Sequence, residues 1–208
     1  GEVRGKIGKK YGGSAQSSLL PYPALVESGY VGLADSDPDV DGVRRRIPLV
    51  VAIDDQFYPT LVTQTLMTYW NLTAEEISIE IGKHLTFHLP EREVRVPIDF
   101  NGEMLINWRA LHHHKVYSFS GVLKSLGSHY RDGRPLDEEM VGLEEKILVF
   151  GQNSTALRDI GETPLEPDTP LPTIHLNAIN TILTGNFVTP ISSIKVWAAG
   201  FILAMVLG

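Results

Sequence analysis

The sequence predicts an α/β or α+β domain built on a mixed sheet. Three observations carry that expectation. Short apolar runs with strand alternation crowd the middle of the chain, from Ile77 to Trp108. Segments with helical spacing stand on both sides of them. A continuous apolar run, Lys146 to Gly151, lies late in the chain, as a strand covered on both faces would. The expected architecture therefore has Lys146–Gly151 as its central strand, a hairpin meander beside it, and helices packed on the sheet. With 208 residues, the chain is long enough for one sizeable core.

Taken in order, residues 1–24 hold Gly1, Gly5, Gly8, Gly12 and Gly13 among basic residues and read as a glycine-rich loop or the remnant of an upstream part. Gly5-Lys6 and Gly8-Lys9 do not make a phosphate loop. Neither lysine is followed by serine or threonine, and no glycine stands five positions before. Tyr30 to Ala34 is a short strand candidate, Asp41-Gly42 a hairpin turn, and Val43 to Ile53 the strand that runs back. Tyr58, Leu61, Val62, Thr65, Leu66 and Tyr69 then recur at helical spacing, with Pro59 near the start.

Four strand-like runs follow: Ile77–Ile81, Leu85–Leu89, Glu93–Ile98 and Met104–Trp108, with Asn101-Gly102 turning between the last two. Ser118 caps a helix whose apolar face is Phe119, Val122, Leu123 and Leu126, ending near Gly127. After the Lys146–Gly151 run and a proline-rich loop, a helix from His175 to Leu183 stops at Gly185. Residues 25–190 form the main domain.

From Val196 to Gly208 there is no charge, and Lys195 and Trp197 stand at the head of the run. A spanning helix needs roughly 20 apolar residues, so 191–208 is expected to be the start of a transmembrane helix, in a chain cut from a longer one. An aromatic and a basic residue at that place suit the headgroup boundary.

Composition narrows the partners. Hydrophobic residues at 43% and charged residues at 21% exclude wholesale disorder. Eighteen basic against twenty-five acidic residues leave −7, which repels a phosphate backbone and argues against nucleic acid. Without cysteine there is no disulfide, thiolate zinc site or cysteine nucleophile.

No constellation makes a metal or cofactor site. Asp37, Asp39, Asp41 and Gly42 begin a calcium-loop pattern, but position 12 is Pro48 and Arg44, Arg45 and Arg46 intervene. A turn whose acids neutralise those arginines suffices. His112, His113 and His114 read as a solvated loop, and His84 with His88 supplies only two ligands. His175 faces the core as a hydrogen-bonded structural histidine. The chain holds no Gly-x-Ser-x-Gly, Gly-x-Gly-x-x-Gly or His-Glu-x-x-His.

The candidate ligand-binding residues are Asn107, Arg109, Asn153, Ser154 and Asp159. Asn107 and Arg109 are two apart at a strand end and leave the same face. Asn153, Ser154 and Asp159 follow the expected central strand, where open α/β sheets bind ligands. Arg109 offers a planar fork for a carboxylate or phosphate. The alternative is that Arg109 pairs with Asp159 or Asp99 and ties two loops together.

Several motifs in one order go further. They are Asp39-Val40-Asp41-Gly42-Val43-Arg44-Arg45-Arg46-Ile47-Pro48-Leu49, Val96-Pro97-Ile98-Asp99-Phe100-Asn101-Gly102 with Leu105-Ile106-Asn107-Trp108-Arg109, Tyr117-Ser118-Phe119, Lys146–Gly151, and Ile174-His175-Leu176-Asn177-Ala178-Ile179. Together they resemble the second class of CHASE sensory domains, across roughly Leu25 to Pro190. The resemblance implies a non-catalytic, periplasmic or extracellular input domain of a bacterial membrane receptor, working as a homodimer. It implies a cytoplasmic output: an adenylate or guanylate cyclase, a histidine or serine/threonine kinase, or a diguanylate cyclase. Two departures stand out. The family's opening membrane helix and β-α-β unit have no counterpart, so sheet strands from that part are expected to be missing. Leu171 and Thr173 also replace the family's glycine and glutamate before His175. Two other classes stay open on the residues alone: an extracytoplasmic hydrolase using Ser154, His175 and Asp159, and a module that only dimerises.

Overall fold

The computed structural model describes residues 2–5, 7, 23–34, 36–53, 56–138, 140–143, 145–151, 159–190 and 205. Among them the expected mixed α/β architecture is present. Strands β1 (Glu2–Arg4), β5 (Ile77–Glu80), β6 (His84–His88) and β7 (Glu93–Pro97) form one sheet in the order β1-β5-β6-β7. β1 runs parallel to β5, and the other pairs are antiparallel. Alternation in the sequence explains the burial: Ile77 and Ile79 point into the core while Ser78 and Glu80 alternate with them. The turn from β5 to β6 passes through Gly82 at φ +81°, a left-handed conformation that a Cβ disfavours.

Two short ladders stand beside this sheet, and they differ from the expected hairpins. β2 (Arg46–Pro48) pairs with β8 (Glu103–Leu105), and β3 (Val50–Ile53) pairs with β4 (Gln56–Pro59). Val43 to Ile53 is therefore not one strand running back along Tyr30–Ala34, which contributes only an isolated bridge from Leu33 to Thr60. Asp41-Gly42 does turn, but an acid–arginine network holds the loop rather than a strand ladder. Arg45 bonds Asp41 through two contacts of 2.8 Å and reaches Asp39, which also binds Arg46 at 2.9 Å. This is the neutralising turn expected in place of a calcium loop, and the Arg45 guanidinium holds the Asp41 carboxyl down at about 2. Asn101-Gly102 likewise turns tightly, with Gly102 at φ +75°, but it hands the chain from β7 to a strand of another ladder.

Helices cover the strands. Besides α1 (Pro23–Ser28) there are α2 (Leu61–Tyr69), α3 (Phe119–Asp132) and α4 (Pro172–Thr184); the two-residue strands β9 (Ile160–Gly161) and β10 (Thr169–Pro170) lead into α4. The chain of α2 begins later than its apolar spacing suggested, because Tyr58 and Pro59 are spent in β4. α3 runs past Gly127 to a left-handed Gly133, and its expected core face is thinly covered: Phe119 and Leu123 are more than half exposed. α4 ends at Gly185, also left-handed, as expected. Leu66 of α2, Ile174 and Ile182 of α4, and Leu85, Phe87 and Met104 of the strands share one core.

The largest correction concerns Lys146–Gly151. It is not the central strand. Its backbone has no ladder partner among the described residues, and Leu148 and Phe150 stand 58% and 67% exposed while Ile147 and Val149 lie against the core. An apolar run satisfies a doubly covered strand and an extended strip laid over a core equally well, and periodicity alone does not separate them. No helix among the described residues is long and apolar enough to cross a membrane. The terminal run 191–208 lies outside the described residues except for Met205.

Candidate functional site

A core helix is normally apolar inward, yet α4 carries Thr173, Asn177 and Thr181 at intervals of four, exposed by only 8%, 1% and 0%. The chain leaving β8 explains them. From Asn107 to Ala110 it has no strand neighbour, so its part-buried amides need acceptors. Asn107 N–H donates to Thr181 Oγ1 at 3.1 Å, and Arg109 N–H donates to Asn177 Oδ1 at 2.8 Å. Asn177 Nδ2 donates to the Thr173 carbonyl at 3.0 Å, and Thr181 Oγ1 donates to the Asn177 carbonyl at 2.8 Å. The Asn107 side chain adds a bond to the Asn186 carbonyl just beyond α4, at 3.1 Å. These bonds clasp the exit of β8 onto the middle and the C-terminal end of α4.

Asn107 and Arg109 thus come together, but not with the other candidates. Asn153 and Ser154 lie outside the described residues. Asp159 is on the other flank of α4: its carbonyl accepts from Leu171 N–H at 3.0 Å, and its charge acts on His175. His175 and Asn177 are two helical steps apart, about 200° around the axis, which separates Asp159 from Arg109. The expected tie from Arg109 to Asp159 or Asp99 is not formed. The Arg109 side chain makes no ion pair among the described residues, and Asp99 instead accepts from the Asn101 and Glu103 amides and lies 3.7 Å from Arg46. Of the hydrolase set, only Asp159 and His175 can be placed.

The remaining histidines divide. His88 is used up between Ser78 at 2.8 Å and Glu93 at 3.1 Å, and His112 stacks on His113 as two exposed rings. His114 is half-buried; burial pushes its pKa below the usual value, a bond with Asn177 opposes this, and the nearby Arg109 charge lowers it further. His175 is pushed down chiefly by burial, opposed by its bond to the Ala34 backbone and by Asp159, while its Nδ1 has no partner among the described residues.

A folded-state pKa below the unfolded 6.5 means the native state binds fewer protons. The stability His175 confers is therefore complete above that pH and lost as pH falls through it. We expect the urea midpoint to fall from pH 8 to pH 5, and His175→Gln to flatten the decline. An unchanged slope in that variant would show that other groups set it.

Next to the clasp lies a cleft of about 620 Å³ between the start of α3, Leu143 with residues 147–151, and the first turn of α4. Val116, Phe119, Val122, Ile147, Val149 and Phe150 supply its apolar walls, and Phe119 meets Phe150 edge-on at 4.4 Å. His114, Lys115, Tyr117 and Ser118 supply its polar part. Sequence reasoning missed both the cleft and the α4 stripe. The stripe had a readable sign, polar residues every fourth position in an apolar helix, whereas the cleft depends on segments far apart in the chain. No cluster of histidines and carboxylates able to hold a metal occurs among the described residues.

Compared with known proteins, the chain matches the family model described as the CHASE2 domain over residues 9–208. No curated protein and no solved structure matches it.

Proposed function

The chain belongs to the CHASE2 domain family, and from that membership we propose that it reads its stimulus beside the β8 exit and reports through α4. Members of the family are extracytoplasmic sensory modules of bacterial receptors that signal to cyclase or kinase outputs, and this chain is such an input domain rather than an enzyme. The observation that carries the proposed route is the clasp: Asn107 and Arg109 bond to Thr181 and Asn177, and Asn107 also grips Asn186 beyond the helix end.

A stimulus at the Arg109 rim shifts the balance between two packings of α4 by its differential affinity for them. Residues 25–190, with β1 (Glu2–Arg4) added to their sheet, are the sensing unit, and 191–208 the start of a membrane helix that receives the motion of α4. The uncharged run after Lys195 and Trp197 supports that last assignment. The receptor works as a homodimer with this domain on the periplasmic side.

The test is Arg109→Ala in a receptor carrying this domain ahead of a cyclase output. Arg109 is exposed and unpaired among the described residues, so the melting temperature is expected to stay within about 2 °C while stimulus-dependent cyclase activity drops. Loss of fold with an unaltered response in the folded fraction sinks the assignment.

A further inference from the structure

We propose that the cleft between α3, α4, Leu143 and residues 147–151 binds a small ligand with an apolar body and a carboxylate. The inference rests on the sensory reading and names the ligand class. At about 620 Å³ the cleft falls within the range of small-molecule sites. Its charge is one-sided. Lys115 is the only charged residue among the described residues of the lining, and the Arg109 charge is felt at its His114. Among the described residues of the lining there is no carboxylate, in a chain whose net charge is −7. A cationic patch in an acidic protein attracts an anion to this place rather than to the surface at large.

The remaining polar groups are sparse and convergent, as a site that orients a mostly apolar ligand requires. His114 Nε2 is buried and has no partner among the described residues, and the Tyr117 and Ser118 side chains lie in the same lining. The Phe119–Phe150 pair at 4.4 Å gives an aromatic body an edge to pack on. A carboxylate thus meets Lys115, while the body fills the space between Val122, Ile147 and Val149.

The same chemistry occurs in a free metabolite and in an anionic lipid surface; the enclosure between two helices favours the free molecule. The experiment titrates the purified chain calorimetrically with 4-phenylbutyrate, 4-phenylbutan-1-ol and 4-phenylbutylamine, and separately with phosphatidylglycerol vesicles. Saturable binding of the carboxylate is expected, with the alcohol about tenfold weaker and the amine weaker still. Lys115→Gln should weaken the carboxylate about three- to tenfold and leave the alcohol unchanged. Because Lys115 is exposed, the variant is expected to fold as the parent does. In the proton spectrum the His114 ring should shift on adding the carboxylate.

Equal binding of the carboxylate and the amine, an indifferent Lys115→Gln, or binding to the vesicles alone overturns the proposal. So does a ligand response that only reflects self-association through Leu148 and Phe150. None of these outcomes touches the route through α4, which the Arg109→Ala receptor assay tests on its own.

Discussion

Asn177→Leu is expected to lower the unfolding free energy by about 2 kcal/mol. The side chain is 1% exposed, so neither of its polar atoms has water to fall back on. Leucine fills similar space but leaves the part-buried Arg109 N–H, now bonded at 2.8 Å, without that acceptor. It also removes the bond to the Thr173 carbonyl and the contact with the His114 ring. An unsatisfied buried donor costs more than a formed bond contributes, which makes a near-isosteric change harmful here.

The urea midpoint measures that cost, and a receptor assay measures its consequence. Under conditions where the variant is folded, output should lose its dependence on stimulus, because the β8 exit no longer grips the middle of α4. Asn177→Asp keeps an acceptor for Arg109 N–H but gives up the donor to Thr173 and buries a charge, so it too should be destabilised. A variant as stable as the parent and fully responsive would remove the clasp from the mechanism.

What the sequence made legible follows from how local each determinant is. The strands between Ile77 and Pro97 were readable because alternation, a turn glycine and strand length agree within a few residues: Ile77 and Ile79 face inward, and Gly82 turns at φ +81°. The acid–arginine turn was readable for the same reason, since Asp39, Asp41, Arg45 and Arg46 are near neighbours in the chain. The partners of β2 were not. Arg46 pairs with Leu105, far along the chain, and Pro48 marks the break before Leu49 without showing which distant strand β2 joins.

The site shows the same division. Asn107 and Arg109 were singled out from their spacing, but the bonds of their amides to Thr181 and Asn177 were not legible, because 74 and 68 residues separate the partners. Placing Asp159 with Arg109 failed for a related reason. It assumed that Lys146–Gly151 was a sheet strand delivering its following loop to the rim, and the run instead lies as an unpaired strip beside the cleft. The ordered motifs succeeded where periodicity stopped, since they carry the pairing of distant segments implicitly.

Phe87→Ala is the change expected to cost most, about 3–5 kcal/mol, through lost transfer energy and the cavity left behind. Phe87 is fully buried in β6, where it pairs with Ile77 on one side and Val94 on the other. The edge of the Trp70 ring system meets it at a centroid distance of 5.1 Å, so truncation also removes the contact that seats the end of α2 on the sheet. Thermal unfolding should fall by roughly 10 °C, and Phe87→Leu, which keeps most of the volume, should cost under about 1.5 kcal/mol. Phe87 is not part of the cleft lining. The folded fraction of Phe87→Ala should therefore bind 4-phenylbutyrate as the parent does, whereas Lys115→Gln should bind it less well at unchanged stability. A Phe87→Ala cost under about 1 kcal/mol would mean that the β5-β6-β7 sheet does not hold the core. A large change in its ligand affinity would mean that sheet and cleft are one cooperative unit, and that α4 is not the only element through which occupancy is reported.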